Sequence, residues 1–96
     1  MSELDKLEAY LKKNGYEYER IDEEDESSPF NRHQIIVYKD GKIKWDAICQ
    51  YGSFGYYEGL LEIYGELVSP RDGDSVVGHL KASQVIRRIK RREKGR

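Results

Sequence analysis

Cys49 is the residue of this sequence best suited to nucleophilic chemistry, and His33 and His79 are the two histidines that could act as its base. A thiolate nucleophile needs a base within hydrogen-bonding reach and an exposed, electropositive setting. Cys49 instead alternates in phase with Trp45 and Ala47 along a predicted strand, so we expect a buried, unreactive thiol. The histidines have no metal-ligand spacing. The sequence therefore predicts no enzyme, no catalytic residue, no metal site and no cofactor.

A glycine-rich segment, residues 51–59, is the second place where a site could form. Gly52, Ser53 and Gly55 bring bare backbone to a predicted junction between a strand and a helix, a geometry that can bind a small ligand or an anion. The same glycines would also let that helix pack closely on a sheet. We favour packing because the segment has no basic partner of its own.

Aromatic residues crowd the same segment, and they are Tyr51, Phe54, Tyr56 and Tyr57. A chain of 96 residues has a thin core that cannot bury all of them. Exposed Tyr and Phe side chains favour protein interfaces or the stacking of single-stranded bases. A small local core whose hydroxyls reach solvent is the simpler alternative.

Charge is distributed asymmetrically along the chain. Residues 81–96 hold eight Lys or Arg against one acid, whereas residues 17–28 hold seven acids against one Arg. A basic helix there could bind nucleic acid through Arg87, Arg88, Arg91 and Arg92. A solvated terminal helix has the same composition, because cations are favoured near a helix C-terminus. The overall net charge of −1 argues against a dedicated nucleic-acid-binding domain.

The elements that position these residues follow from periodicity and turn signals. The predicted elements are a helix over 3–13, a strand over 16–21, an acidic loop over 22–28 ending at Pro29, strands over His33–Lys39 and Lys42–Gln50, a helix over 56–64, a turn over 70–74, a short extended piece over 75–80 and a helix over 82–92. Together they predict an α+β fold, in which a three-stranded antiparallel β-meander is packed by three helices in the order α-β-β-β-α-α. We expect a single domain over 1–92 and a frayed basic tail over 93–96.

The hairpin turn Asp40-Gly41 sets a predicted register for the two central strands. A two-residue turn places Tyr38 opposite Ile43, Ile36 opposite Trp45 and Gln34 opposite Ala47. One face then forms the core, and it carries Ile36, Tyr38, Ile43, Trp45, Ala47 and Cys49. The opposite face carries Ile35, Val37 and Ile48.

Two stretches, residues 45–63 and residues 77–86, carry a resemblance. The first reads WDAICQYGSFG and continues with EGLLEI; the second reads VGHLKASQVI. Both resemble small uncharacterised proteins encoded by phages and mobile elements of Gram-positive gut bacteria. This resemblance implies a small accessory protein and assigns no catalytic residue.

Composition restricts where the chain acts. It contains no long apolar run, no secretory signal and no second cysteine for an internal disulfide, so we expect a cytoplasmic protein that does not enter membranes. The preferred hypothesis is a non-enzymatic accessory protein that binds a protein partner. The alternatives are nucleic-acid binding by the C-terminal helix and ligand binding at the glycine turn.

Overall fold

Five antiparallel strands form one sheet, in which spatial neighbours are also neighbours in the chain. A computed structural model describes residues 1–95, and two α-helices cover one face of the sheet. The elements are α1 (Glu3–Lys13), β1 (Glu17–Glu24), β2 (Asn31–Lys39), β3 (Lys42–Ile48), β4 (Leu61–Gly65), β5 (Val76–Leu80) and α2 (Ala82–Lys94), with 3₁₀ turns at Tyr56–Glu58 and Pro70–Asp72. The predicted α+β class is confirmed, but the prediction of three strands and three helices is wrong.

Both terminal helices form where the sequence predicts them. A capping box begins α1, since the Ser2 hydroxyl accepts from the Asp5 N–H and the Asp5 carboxylate accepts from the Ser2 N–H. The Glu3 carboxylate accepts from the Ala82 N–H at the start of α2, at 2.7 Å. The two helices therefore meet at their N-terminal ends. They bury the apolar stripes Leu4, Leu7 and Leu11 of α1 and Ala82, Val85 and Ile89 of α2.

The C-terminal helix α2 runs two residues beyond its predicted end and includes Lys94. The Gly95 N–H then donates to the Arg91 carbonyl at 3.1 Å. Arg96 lies outside the described residues, and fraying of residues 93–96 stays a prediction. No helix within residues 1–95 has the length and apolar character required to cross a membrane.

The predicted helix over 56–64 is wrong. A single 3₁₀ turn, Tyr56–Glu58, forms there, and Gly59 ends it with a left-handed φ of +71°. The chain continues as β4, in which Leu61 and Ile63 alternate toward the core with the period of a strand. The predicted extended piece over 75–80 is confirmed as β5, which pairs with β4 and completes the sheet.

The predicted register of the β2–β3 hairpin holds only next to its turn. Tyr38 lies opposite Ile43 as expected, but Val37 rather than Ile36 lies opposite Trp45, because Lys44 is an extra residue in β3. The Lys44 carbonyl accepts from the Glu66 N–H that follows β4, at 2.9 Å, which stabilises the bulge. Every residue of β2 beyond the bulge therefore points to the face opposite the predicted one.

The core consequently has a different composition on β2. Ile35 and Val37 are buried beneath the helices, whereas Ile36 lies on the opposite face, outside this core cluster, with only 9 % of its surface exposed. Ile43 is exposed. Trp45 is confirmed as a core residue, with 5 % of its surface exposed.

The acidic loop is shorter than the predicted 22–28, because β1 continues to Glu24. A cross-strand hydrogen bond engages one of these acids, since the Asp22 carboxylate lies 2.7 Å from His33 Nδ1. Such pairs let carboxylates occupy a strand that their propensity disfavours. The remaining loop joins β1 to β2 and ends beside Phe30.

Candidate functional site

Four aromatic rings form a continuous series of contacts at one end of the sheet. Phe30 packs edge-on against Tyr51 at 5.3 Å between ring centres, and Tyr51 packs edge-on against Tyr56 at 6.3 Å. Tyr57 lies 5.3 Å from Tyr56. Tilted and edge-to-face arrangements are the favourable geometries for aromatic pairs. We call Phe30, Tyr51, Tyr56 and Tyr57 the aromatic patch.

The aromatic patch faces solvent. Phe30 is 62 % exposed, Tyr51 40 % and Tyr57 85 %, while Tyr56 is half-buried. A local core would hide these rings, so that alternative does not describe the patch. Contiguous exposed aromatic surface is characteristic of binding sites.

Asn31, the first residue of β2, holds the centre of the patch. Its side-chain amide donates to the Tyr56 hydroxyl at 3.0 Å, and its Oδ1 accepts from the Tyr51 N–H at 2.7 Å. The Gln50 side chain accepts from the His33 N–H at 3.1 Å and ties the same loop to β2. The loop after β3 is therefore fixed to the start of β2 on both sides of Tyr51.

The patch contains residues that the sequence prediction missed. Tyr51, Tyr56 and Tyr57 were predicted interface residues, but Phe30 and Asn31 lie more than eighteen positions earlier in the chain. One local signal points to Phe30, because it is an isolated large apolar residue between a polar loop and a strand. No local signal distinguishes Asn31.

Phe54, the fourth predicted interface residue, lies apart from the ring series. It packs over Gly78 of β5, where an added Cβ would come within 2.3 Å of the Phe54 Cβ. Its N–H donates to the Glu62 carboxylate at 2.9 Å, and its carbonyl accepts from the His79 N–H at 3.1 Å. Phe54 therefore anchors the loop to β4 and β5 and leaves its ring partly exposed.

The predicted ligand residues are engaged in local structure. The Ser53 hydroxyl accepts from the Gln50 N–H at 3.0 Å and donates to the Gln50 carbonyl at 2.7 Å. Gly55 has φ +102°, and an added Cβ would lie 3.1 Å from the His79 backbone. Gly52 lies in the same turn with open space around it. These contacts favour packing as the reason for Gly55, whereas Gly52 has a left-handed φ of +90° that favours glycine without close packing.

Several acidic residues are neighbours of the aromatic patch, either along the chain or across the strands. The Asp25 N–H donates to the Phe30 carbonyl at 3.2 Å and closes the loop between β1 and β2. Two serine hydroxyls donate to the Asp25 carboxylate, with Ser27 the largest contributor, and they lower its pKa. Glu24 pairs with Asn31 across the strands, and Glu58 directly follows Tyr57. With Glu26, these exposed acids make the rim of the patch negative.

The candidate nucleophile lies beside the patch, in a cavity of about 650 Å³ that Arg20, His33, Cys49 and Tyr56 help to line. Burial raises the pKa of the half-buried Cys49 thiol, which is opposite to what a nucleophile requires. His33 contacts Asp22 through one ring nitrogen and Glu24 through the other, and the Asp22 bond in particular raises the His33 pKa. Both ring nitrogens of His33 are therefore occupied, and neither is free to accept a proton from the Cys49 thiol.

The four predicted nucleic-acid-binding arginines do not share one surface. Arg88 donates to both Asp72 carboxylate oxygens, at 2.9 and 3.0 Å, and to the Leu67 carbonyl at 3.0 Å. This ion pair lowers the pKa of Asp72 to about 2. Arg92 contacts Glu66. Arg87 and Arg91 remain on the exposed face of α2.

Comparison of the chain with protein-family models, curated proteins and solved structures finds no match. Within residues 1–95, no group of three or more His, Cys, Asp or Glu side chains is arranged to hold a metal ion. The geometry of the aromatic patch therefore carries the functional argument.

Proposed function

We propose that this chain is a non-enzymatic accessory protein of the cytoplasm that binds a protein partner through the aromatic patch. The observation that carries the proposal is a series of four rings, each in contact with the next, three of which are exposed. The proposal includes an origin in a phage or mobile element.

Fixed aromatic side chains bind at a low entropic cost. Tyr and Phe have two side-chain torsions each and bring large apolar areas to an interface. Asn31 already orders the central rings through two hydrogen bonds, so less conformational freedom is lost when a partner arrives. Clustered, preordered aromatic residues are the typical energetic centre of a protein interface.

The charge of the rim favours protein over nucleic acid as the occupant of the patch. Proteins that stack single-stranded bases on aromatic rings place those rings in a positively charged groove. Here the acidic loop and Glu58 border the rings, and their carboxylates repel phosphate groups. A polypeptide partner has no phosphate backbone and is not repelled by these carboxylates in this way.

A matched pair of variants tests the proposal. The immobilised wild-type protein, a Tyr51→Ser/Tyr57→Ser variant and a Tyr64→Ser control are used to capture proteins from a lysate of the native host. Tyr64 is 58 % exposed on β4, so its loss removes a comparable ring from another surface. We expect a protein retained by the wild type and the control but absent from the double variant. Equal retention by all three would contradict the proposal.

Nucleic-acid binding is the second candidate function, and the exposed face of α2 supports it. Arg87, Lys90, Arg91 and Lys94 recur at three- and four-residue steps and are all exposed. Fluorescence anisotropy with duplex and single-stranded oligonucleotides tests it against an Arg87→Glu/Arg91→Glu variant. Tight binding at physiological salt, lost in that variant, would move this function to first place.

A further inference from the structure

We infer that the aromatic patch binds a basic, arginine-bearing segment of its protein partner. The inference rests on the proposed function and names the chemistry of the partner. It draws on two independent features of the same surface, the orientation of the rings and the charge of the rim.

The rings present faces on which a cation can stack. The planes of Phe30 and Tyr51 meet at 85°, and those of Tyr51 and Tyr56 meet at 74°. Successive rings therefore form walls at steep angles instead of one flat stack. Tyr57, at the end of the series, is 85 % exposed and leaves most of its ring open to solvent. The negative face of an aromatic ring attracts a guanidinium or ammonium group within about 6 Å.

The rim supplies carboxylates for the same cation. Among the ion pairs formed within residues 1–95, none involves Glu26 or Glu58. These two exposed acids flank the patch in sequence, one before Phe30 and the other after Tyr57. Their charges are therefore available to a partner. Opposite charge across an interface accelerates association and rejects acidic competitors.

Arginine satisfies both features better than lysine. Its planar guanidinium stacks on aromatic faces and also donates two parallel hydrogen bonds to a carboxylate. A lysine ammonium is a strongly hydrated point charge that loses more solvation on contact with a ring. We therefore expect the order of affinity to be arginine, then lysine, then uncharged residues.

Labelled synthetic peptides test this chemistry directly. One peptide carries arginines spaced by glycine and serine, and matched peptides replace each arginine with lysine, glutamate or the uncharged isostere citrulline. Fluorescence anisotropy against the full chain should show binding of the arginine peptide, weaker binding of the lysine peptide and little binding of the other two. Similar affinities for the arginine and citrulline peptides would overturn the inference.

Variants separate site-specific binding from general attraction to an acidic protein. Tyr57→Ser and Glu58→Gln should each weaken binding of the arginine peptide about two- to fivefold, the effect of losing one exposed cation–π contact or one exposed ion pair. The controls Tyr64→Ser and Glu17→Gln remove an exposed tyrosine and an exposed acid from other parts of the sheet and should leave affinity unchanged. Equal losses in test and control variants would contradict a defined site.

Two further results distinguish failure of this inference from failure of the proposed function. If capture of the cellular partner requires Tyr51 and Tyr57 but is insensitive to Glu26→Gln/Glu58→Gln, the patch binds a protein of other chemistry and only the inference fails. Sedimentation velocity examines a second copy of the chain, whose own α2 is basic. Self-association that Tyr57→Ser abolishes but Arg87→Glu/Arg91→Glu leaves unchanged would assign the patch to a second copy bound without these arginines and would overturn the inference.

Discussion

Replacing Asn31 with alanine tests how the aromatic patch is held. The substitution removes the hydrogen bonds to the Tyr56 hydroxyl and from the Tyr51 N–H, which are 3.0 and 2.7 Å long. Each such bond contributes about 0.5–1.5 kcal/mol net to stability. Water can solvate the freed groups at this partly exposed position, so the full desolvation penalty does not apply. We expect Asn31→Ala to lower the free energy of unfolding by about 2 kcal/mol.

A double-mutant cycle isolates the Asn31–Tyr56 bond from other effects of the substitution. Tyr56→Phe removes only the hydroxyl and should cost about 1 kcal/mol by itself. The double variant should then cost about 1 kcal/mol less than the sum of the single variants, because the same bond is lost in both. Urea unfolding of the wild type, the two single variants and the double variant measures each free energy of unfolding. The four data sets are fitted with one common dependence of that free energy on urea concentration.

Tyr57→Phe supplies the control cycle. The Tyr57 side chain is 85 % exposed, and its hydroxyl forms no hydrogen bond to another group within residues 1–95. Its coupling to Asn31→Ala should therefore be zero within the ordinary scatter of about 0.3–0.5 kcal/mol. Additive losses for Asn31 and Tyr56, or a cost for Asn31→Ala below about 0.5 kcal/mol, would refute the assignment of Asn31 as the residue that positions the patch.

Three further predictions concern the core and the cavity beside the patch. Trp45→Ala should cost about 3–5 kcal/mol, because the side chain is buried, and a thermal midpoint that hardly moves would contradict this. Cys49 should react slowly with thiol reagents in the native state and quickly in denaturant, since burial raises its pKa; rapid native labelling would reopen the enzyme hypothesis. Asp22 and Glu24 raise the His33 pKa above its usual value of 6.5. The stability that these contacts contribute is therefore fully present below pH 6.5 and is lost as the pH rises through the raised pKa. His33→Gln should abolish that dependence in urea unfolding at several pH values, and an unchanged profile would exclude His33 as its source.

Local signals were sufficient to predict the terminal helices and the central turn. The Ser2 capping box, the leucine spacing of α1 and the apolar stripe of α2 are contained within single segments. Asp40 and Gly41 adopt φ values of +54° and +77°, as the predicted two-residue turn requires. In each case the residues that decide the conformation are neighbours in sequence.

Contacts between distant segments decided the elements that were mispredicted. The bulge at Lys44 depends on the Glu66 N–H and on the close approach of Gly65, where an added Cβ would lie 2.6 Å from the Lys44 carbonyl. The short apolar run after Gly59 fits a helix or a strand when it is considered alone. It becomes β4 because β3 and β5 both offer edges for pairing. Neither partner could be identified from the local pattern.

Contacts between distant segments also decide which charged side chains remain available to a binding partner. Two of the α2 arginines are paired with acids of the same chain, since Arg88 forms an ion pair with Asp72 and Arg92 with Glu66. In β1, Asp22 is matched by His33 across the strands. The acids beyond that strand lie beside exposed rings that have their own attraction for cations. Negative charge and aromatic surface therefore coincide at one end of the sheet, and this coincidence favours a basic protein partner over a phosphate backbone as the ligand of this chain.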